Sequence, residues 1–100
     1  MPISVEIRDE RGKREGEAWW HKRSTALLCQ EDPRTTCLRF IDPYGDTTFN
    51  QLQLPVLLAE LTALQSGTKD EEARAVLAGL LSFLESARDH IHTYVVFVGD

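Results

Sequence analysis

One hundred residues with 42% apolar side chains and a net charge of −5 describe one small globular domain with a single core. The acidic balance disfavours direct binding to a phosphate backbone. No apolar run approaches the roughly 20 residues that cross a bilayer, and the start "MPISVEIRDE" has no basic segment leading into an apolar stretch. A cytoplasmic, membrane-free protein is the expectation.

The chain opens on strict alternation. Ile3, Val5 and Ile7 share one face and Ser4, Glu6 and Arg8 the other, which predicts a half-buried strand. Gly12 and Gly16 interrupt it and predict a turn or loop. Trp19 and Trp20 are adjacent, so in extended backbone they point to opposite sides and one is exposed. Ala26 to Cys29 fits a strand or a helical turn equally well.

Residues 36–41, "TTCLRFI" from Thr36 onward, predict a second strand, with Leu38 and Phe40 on one face and Cys37, Arg39 and Ile41 on the other. Asp42-Pro43-Tyr44-Gly45 then has the chemistry of a type I turn, with Gly45 in the left-handed position. "DTTF" is expected to return as an antiparallel strand and complete a hairpin. "LPVLLAELTALQSG" predicts a helix with Pro55 in its first turn, a stripe of Leu54, Leu57, Leu58, Leu61 and Leu64, and a left-handed cap at Gly67. Thr68 and Glu71 match a capping box that opens a second helix to about Asp89. Its stripe is Ala73, Val76, Leu77, Leu80, Leu84 and Ala87, and the short connection makes the two helices an antiparallel hairpin. Tyr94 to Val98 is apolar on both faces and predicts a central strand beside the first strand or the 36–41 strand. Its second face requires cover from the Trp19–Cys29 segment or a second copy.

The expected architecture is α+β: one domain over residues 1–100, with an antiparallel sheet of three to five strands and an αα-hairpin on one face. The segments "CLRFIDPYGDTTFN", "QLPVLLAEL" and "HTYVVFVGD" resemble those of a group of small bacterial proteins of unknown function. That resemblance covers about the last two-thirds of the chain and implies no catalytic assignment. Size and isolation of the domain are similar to those of immunity or accessory proteins.

Candidate chemistry is sparse. Asp42, Asp46 and Asp100 are expected to approach one another if the last strand lies beside the turn, and three carboxylates suit a divalent cation or a basic side chain. The competing role for Asp42 and Asp46 is turn formation. His90 and His92 have the spacing of a metal pair on a strand but straddle a helix-to-strand junction. Cys29 and Cys37 lack a nucleophile motif and read as reduced thiols. Trp19, Trp20 and Tyr44 are the aromatic candidates for a contact surface. No glycine-rich phosphate loop is present, and no cofactor is expected.

Two functions follow. The first is a non-enzymatic interaction protein, either self-associating as a homodimer or an acidic inhibitor-type protein that takes a basic partner. The second is a small metal-binding protein or enzyme built on the Asp and His groups.

Overall fold

A computed structural model describes residues 2–30, 32–90 and 92–99. It has a four-stranded antiparallel sheet with a helix pair on one face, an α+β fold. Strand β1, Ser4–Arg8, buries Val5 and Ile7, and Ile3 before it, toward the helices. On the other face Arg8 pairs with Glu6 at 2.9 Å. The chain then turns sharply. The Asp9 carboxylate accepts the N–H groups of Arg11 and Lys13, both at 2.9 Å. Gly12 adopts φ of 81°, which a side-chain-bearing residue reaches only with strain. The return strand β2 is only Trp19–Trp20, paired so that Val5 faces Trp19 and Ser4 faces Trp20.

Helix α1, Ser24–Leu28, resolves the ambiguity of the Ala26–Cys29 stretch in favour of a single helical turn. It is tied to the start of β1. The buried Ser24 hydroxyl donates to the Ile3 carbonyl at 2.6 Å, and the Thr25 hydroxyl accepts the Ile3 N–H at 3.0 Å.

The expected 36–41 strand does not form. Residues Leu38–Phe40 make a 3-10 turn, closed by the N–H of Phe40 on the Cys37 carbonyl and that of Ile41 on the Leu38 carbonyl. Cys37 and Leu38 are both buried and Phe40 is exposed, so the apparent alternation is not used. The expected hairpin fails with it. Strand β3, Asp46–Phe49, pairs instead with the last strand, β4, Tyr94–Val98.

Strand order is β2-β1-β4-β3. Strand β4 is therefore central, as its apolar sequence requires, and lies beside β1. Phe97 and Phe49 meet edge to face, centroids 5.7 Å apart, under the helix pair.

Helix α2, Leu54–Gly67, buries Leu54, Leu57, Leu58 and Leu61. Gly67 is not left-handed, and the helix ends on an extended Thr68. Helix α3, Glu71–Glu85, is shorter than expected and buries Ala73, Val76, Leu77, Leu80 and Leu84. Its cap is Asp70 rather than Thr68. The Asp70 carboxylate accepts the N–H groups of Glu72 and Ala73 at 2.9 and 3.3 Å, which satisfies donors that the first helical turn leaves free.

The far face of β4 is covered only at its centre, while Tyr94 at its start stays exposed. Val96 points away from the helices yet is only 2% exposed. Its cross-strand neighbours are Glu6 and Thr48. With Tyr94, Arg8 and the Asp9–Gly12 turn, Val96 and Thr48 line a hollow of about 230 Å³. Val96 is thus shielded within one copy of the chain. The Trp19–Cys29 segment does not provide that cover: β2 extends the sheet edge, and Leu27 and Leu28 of α1 join the helix-side core.

No helix among the described residues is long and apolar enough to cross a membrane.

Candidate functional site

The turn Asp42–Gly45 and the end of β4 do come together. The N–H of Gly99 donates to the Gly45 carbonyl at 2.8 Å. The approach is so close that a Cβ on Gly99 would lie 2.5 Å from the Asp42 carbonyl oxygen and 2.7 Å from that of Gly45. Asp42 is committed to the turn: its Oδ1 accepts the Tyr44 N–H at 2.8 Å, and its own N–H donates to the Thr47 hydroxyl at 3.0 Å. Gly45 does not take the left-handed conformation. Asp46 is exposed at the start of β3, opposite Val98. Asp100 lies outside the described residues.

The histidines turn to different partners. His90 Nδ1 lies 3.7 Å from Glu15 and His92 Nδ1 lies 4.0 Å from Glu10, all on the surface. His92 has φ of 58° at the junction of helix and strand. His21 Nδ1 accepts the Arg23 N–H at 3.1 Å. Among the described residues no three His, Cys, Asp or Glu side chains converge as metal ligands would.

Cys29 and Cys37 are free thiols. Burial, and next the Asp42 charge, push the Cys29 thiol up; burial, and next Glu60, do the same to Cys37. Both are held in the protonated, weakly nucleophilic form. Trp19 faces the helix side, half-buried against the core, whereas Trp20 is exposed on the opposite face. Tyr44 is 82% exposed at the tip of its turn.

Three features lie outside these candidates. First, the Glu60 carboxylate on α2 accepts the Thr36 N–H at 2.7 Å, the Thr36 hydroxyl at 2.9 Å, and the Cys37 and Leu38 N–H groups at 3.0 Å each. Partial burial pushes its pKa up, but these donors more than offset that and hold it below the ordinary carboxylate value. Second, a groove of about 620 Å³ beside the end of α2 is lined by Leu27, Leu28, Leu38 and Leu64 together with the charged side chains of Asp32, Arg34 and Glu60.

Third, the solvent side of α2 is uncharged. At about 100° of rotation per residue, Val56, Ala59 and Ala63 fall directly opposite the buried leucines. Leu52, in the turn that leads into the helix, continues the row; all four are exposed, Leu52 at 88%. Pro55, Thr62 and Ser66 flank it, also exposed. The one charged residue of α2, Glu60, is occupied with the Thr36–Leu38 backbone. Phe40, at the end of the 3-10 turn that Glu60 anchors, is also exposed, with the Arg39 guanidinium 5.0 Å from its ring centroid.

The signal for this surface was present in the sequence. A helix with apolar residues on both sides and one charge in fourteen positions departs from an ordinary amphipathic pattern.

The chain matches no family model, no curated protein and no solved structure.

Proposed function

We propose that this chain is a non-enzymatic protein-interaction domain that binds through the outward side of α2. The observation that carries the proposal is the exposed, uncharged row Leu52, Val56, Ala59 and Ala63, set opposite the leucines that face the core. Soluble domains place charge on such a face, and an exposed apolar patch marks a contact surface. The protonated state of both thiols and the engagement of Asp42 in its turn add support, because they leave those groups little reactivity. Within the interaction class, the uncharged row favours an apolar contact over capture of a basic effector, which would place acidic groups at the centre.

The test is a Leu52→Lys, Val56→Lys double variant. Residues reserved for binding contribute little to folding, so the melting temperature should stay within a degree or two of the parent while association is lost. A fall of ten degrees would assign these residues to the fold and remove the proposal.

A further inference from the structure

We infer that the open edge of strand β3 takes an extended, basic peptide segment of another protein as a fifth strand of the sheet. The contact is made by the main chain of β3 and stands apart from the row on α2.

The pairing with β4 fixes which backbone groups face that edge. The Gly99 N–H donates to the Gly45 carbonyl at 2.8 Å, and Thr47 and Phe49 stand opposite Phe97 and Val95. Hydrogen-bonded positions alternate along an antiparallel pair. Gly45, Thr47 and Phe49 therefore bond toward β4, while Asp46 and Thr48 turn their N–H and C=O groups outward. None of these four groups has a hydrogen-bond partner among the described residues.

The opposite side of the sheet is finished differently. There Ile3, Val5, Ile7 and Asp9 turn their backbone groups away from β4. Ile3 is held by the hydroxyls of Ser24 and Thr25, and Val5 is paired with Trp19. The Ile7 carbonyl accepts the Glu15 N–H at 2.7 Å, and the Asp9 N–H donates to the Lys13 carbonyl at 2.9 Å. The strand beyond, β2, is two residues long. Short strands, lysine, proline and bulges are the usual means of blunting a free edge. Strand β3 has no lysine, proline or bulge, and its one charge, Asp46, sits at its first position.

Donors and acceptors at alternate positions select an extended chain whatever its sequence. The side chains select its character. Asp46 and Thr48 are exposed on the outer face, and Asp46 has no ion pair among the described residues. A lysine or arginine set opposite Asp46 gains a cross-strand charge pair. On the helix side Phe40, whose carbonyl accepts the Thr47 hydroxyl at 3.5 Å, is exposed and favours an apolar residue. Basic and apolar positions therefore alternate along the segment. The same charge disfavours a second copy. Pairing β3 with itself about Thr47 would set the two Asp46 carboxylates diagonally on one face and join two chains of net −5.

NMR of the isotope-labelled chain with a synthetic peptide of alternating lysine and valine provides the test. In the free chain the Asp46 and Thr48 amides should exchange with solvent far faster than those of Thr47 and Phe49. Peptide at millimolar concentration should shift and protect the first pair and leave the Val5 amide unmoved. Methylating the peptide nitrogens removes donors and keeps the charge; Thr48→Pro removes one outward N–H without touching the bonds to β4. Each should weaken binding about fivefold or more. Asp46→Lys should reverse the preference between this peptide and one with glutamate in place of lysine. Protected Asp46 and Thr48 amides in the dilute free chain, no shift at millimolar peptide, or equal binding of the methylated peptide overturns the assignment. Protection that appears only at high protein concentration, with dimers in sedimentation, gives the edge to a second copy and overturns it equally.

Discussion

The Glu60 carboxylate accepts the backbone N–H of Leu38 at 3.0 Å, across twenty-two positions of sequence. The same carboxylate takes the N–H groups of Thr36 and Cys37, so one side chain of α2 fixes the whole entry to the 3-10 turn. Hydrogen bonds to a charged group contribute about 1.5–3 kcal/mol each at most, and their partial exposure here lowers the sum. Glu60→Ala should cost about 2–4 kcal/mol by urea denaturation, with Glu60→Gln intermediate. A loss below about 0.5 kcal/mol would mean the loop holds without its anchor.

Acid should have the same effect. The folded-state pKa of Glu60 lies below its ordinary value. Its contribution is therefore fully present above the unfolded-state pKa and is lost as pH falls through the folded one. Melting temperature measured from neutral pH down into the acid range should fall more for the parent than for Glu60→Gln. Parallel curves would contradict this.

This contact also explains what the sequence could and could not show. Strands β1 and β4 were legible because alternation in Ile3–Ile7 and the apolar run Tyr94–Val98 are local patterns. The leucine stripe of α2 and the apolar positions of α3 were legible for the same reason. Residues 36–41 carry an equally good strand pattern, but their donors are captured by a carboxylate distant in sequence, and no local signal reports that. The close approach of the β4 end to the Asp42 turn was expected correctly, though for a hairpin that does not exist. The candidate surface lay in plain view in α2. Exposed apolar residues are ordinary on protein surfaces, so only the fold, which fixes the side that faces the core, sets Val56, Ala59 and Ala63 apart as one outward row.

Gly99 should tolerate no side chain. A Cβ there meets carbonyl oxygens and a carbonyl carbon of the 42–45 turn at 2.5–2.7 Å, and backbone yields less readily than a side-chain tip. Gly99→Ala should cost about 1–3 kcal/mol, read by thermal or urea melting. Full stability would show that the end of β4 does not seat on the turn.

Asp70 has two duties, capping α3 and pairing with Arg23 at 2.8 Å. The hydrogen bond from Arg23, and next the Ala73 N–H, hold its pKa below the usual carboxylate value. Asp70→Ala should therefore lower the melting temperature more than Arg23→Ala, which removes the exposed pairing alone. Added salt should erase most of the Arg23 effect and little of the Asp70 effect. Equal effects of the two variants would show that the cap is unimportant.

Phe97 is fully buried at the centre of the sheet, against Phe49. Phe97→Ala should cost about 3–5 kcal/mol, enough to leave a domain of this size partly unfolded at room temperature. Circular dichroism showing an unchanged cooperative transition would place the core elsewhere.

The measurement that bears most directly on the central claim is thermal melting of the Leu52→Lys, Val56→Lys double variant. Charge placed on a surface that faces away from the core should leave the fold intact, so a melting temperature within about two degrees of the parent is the predicted result. A fall of about ten degrees would assign Leu52 and Val56 to the fold and contradict binding through the outward side of α2.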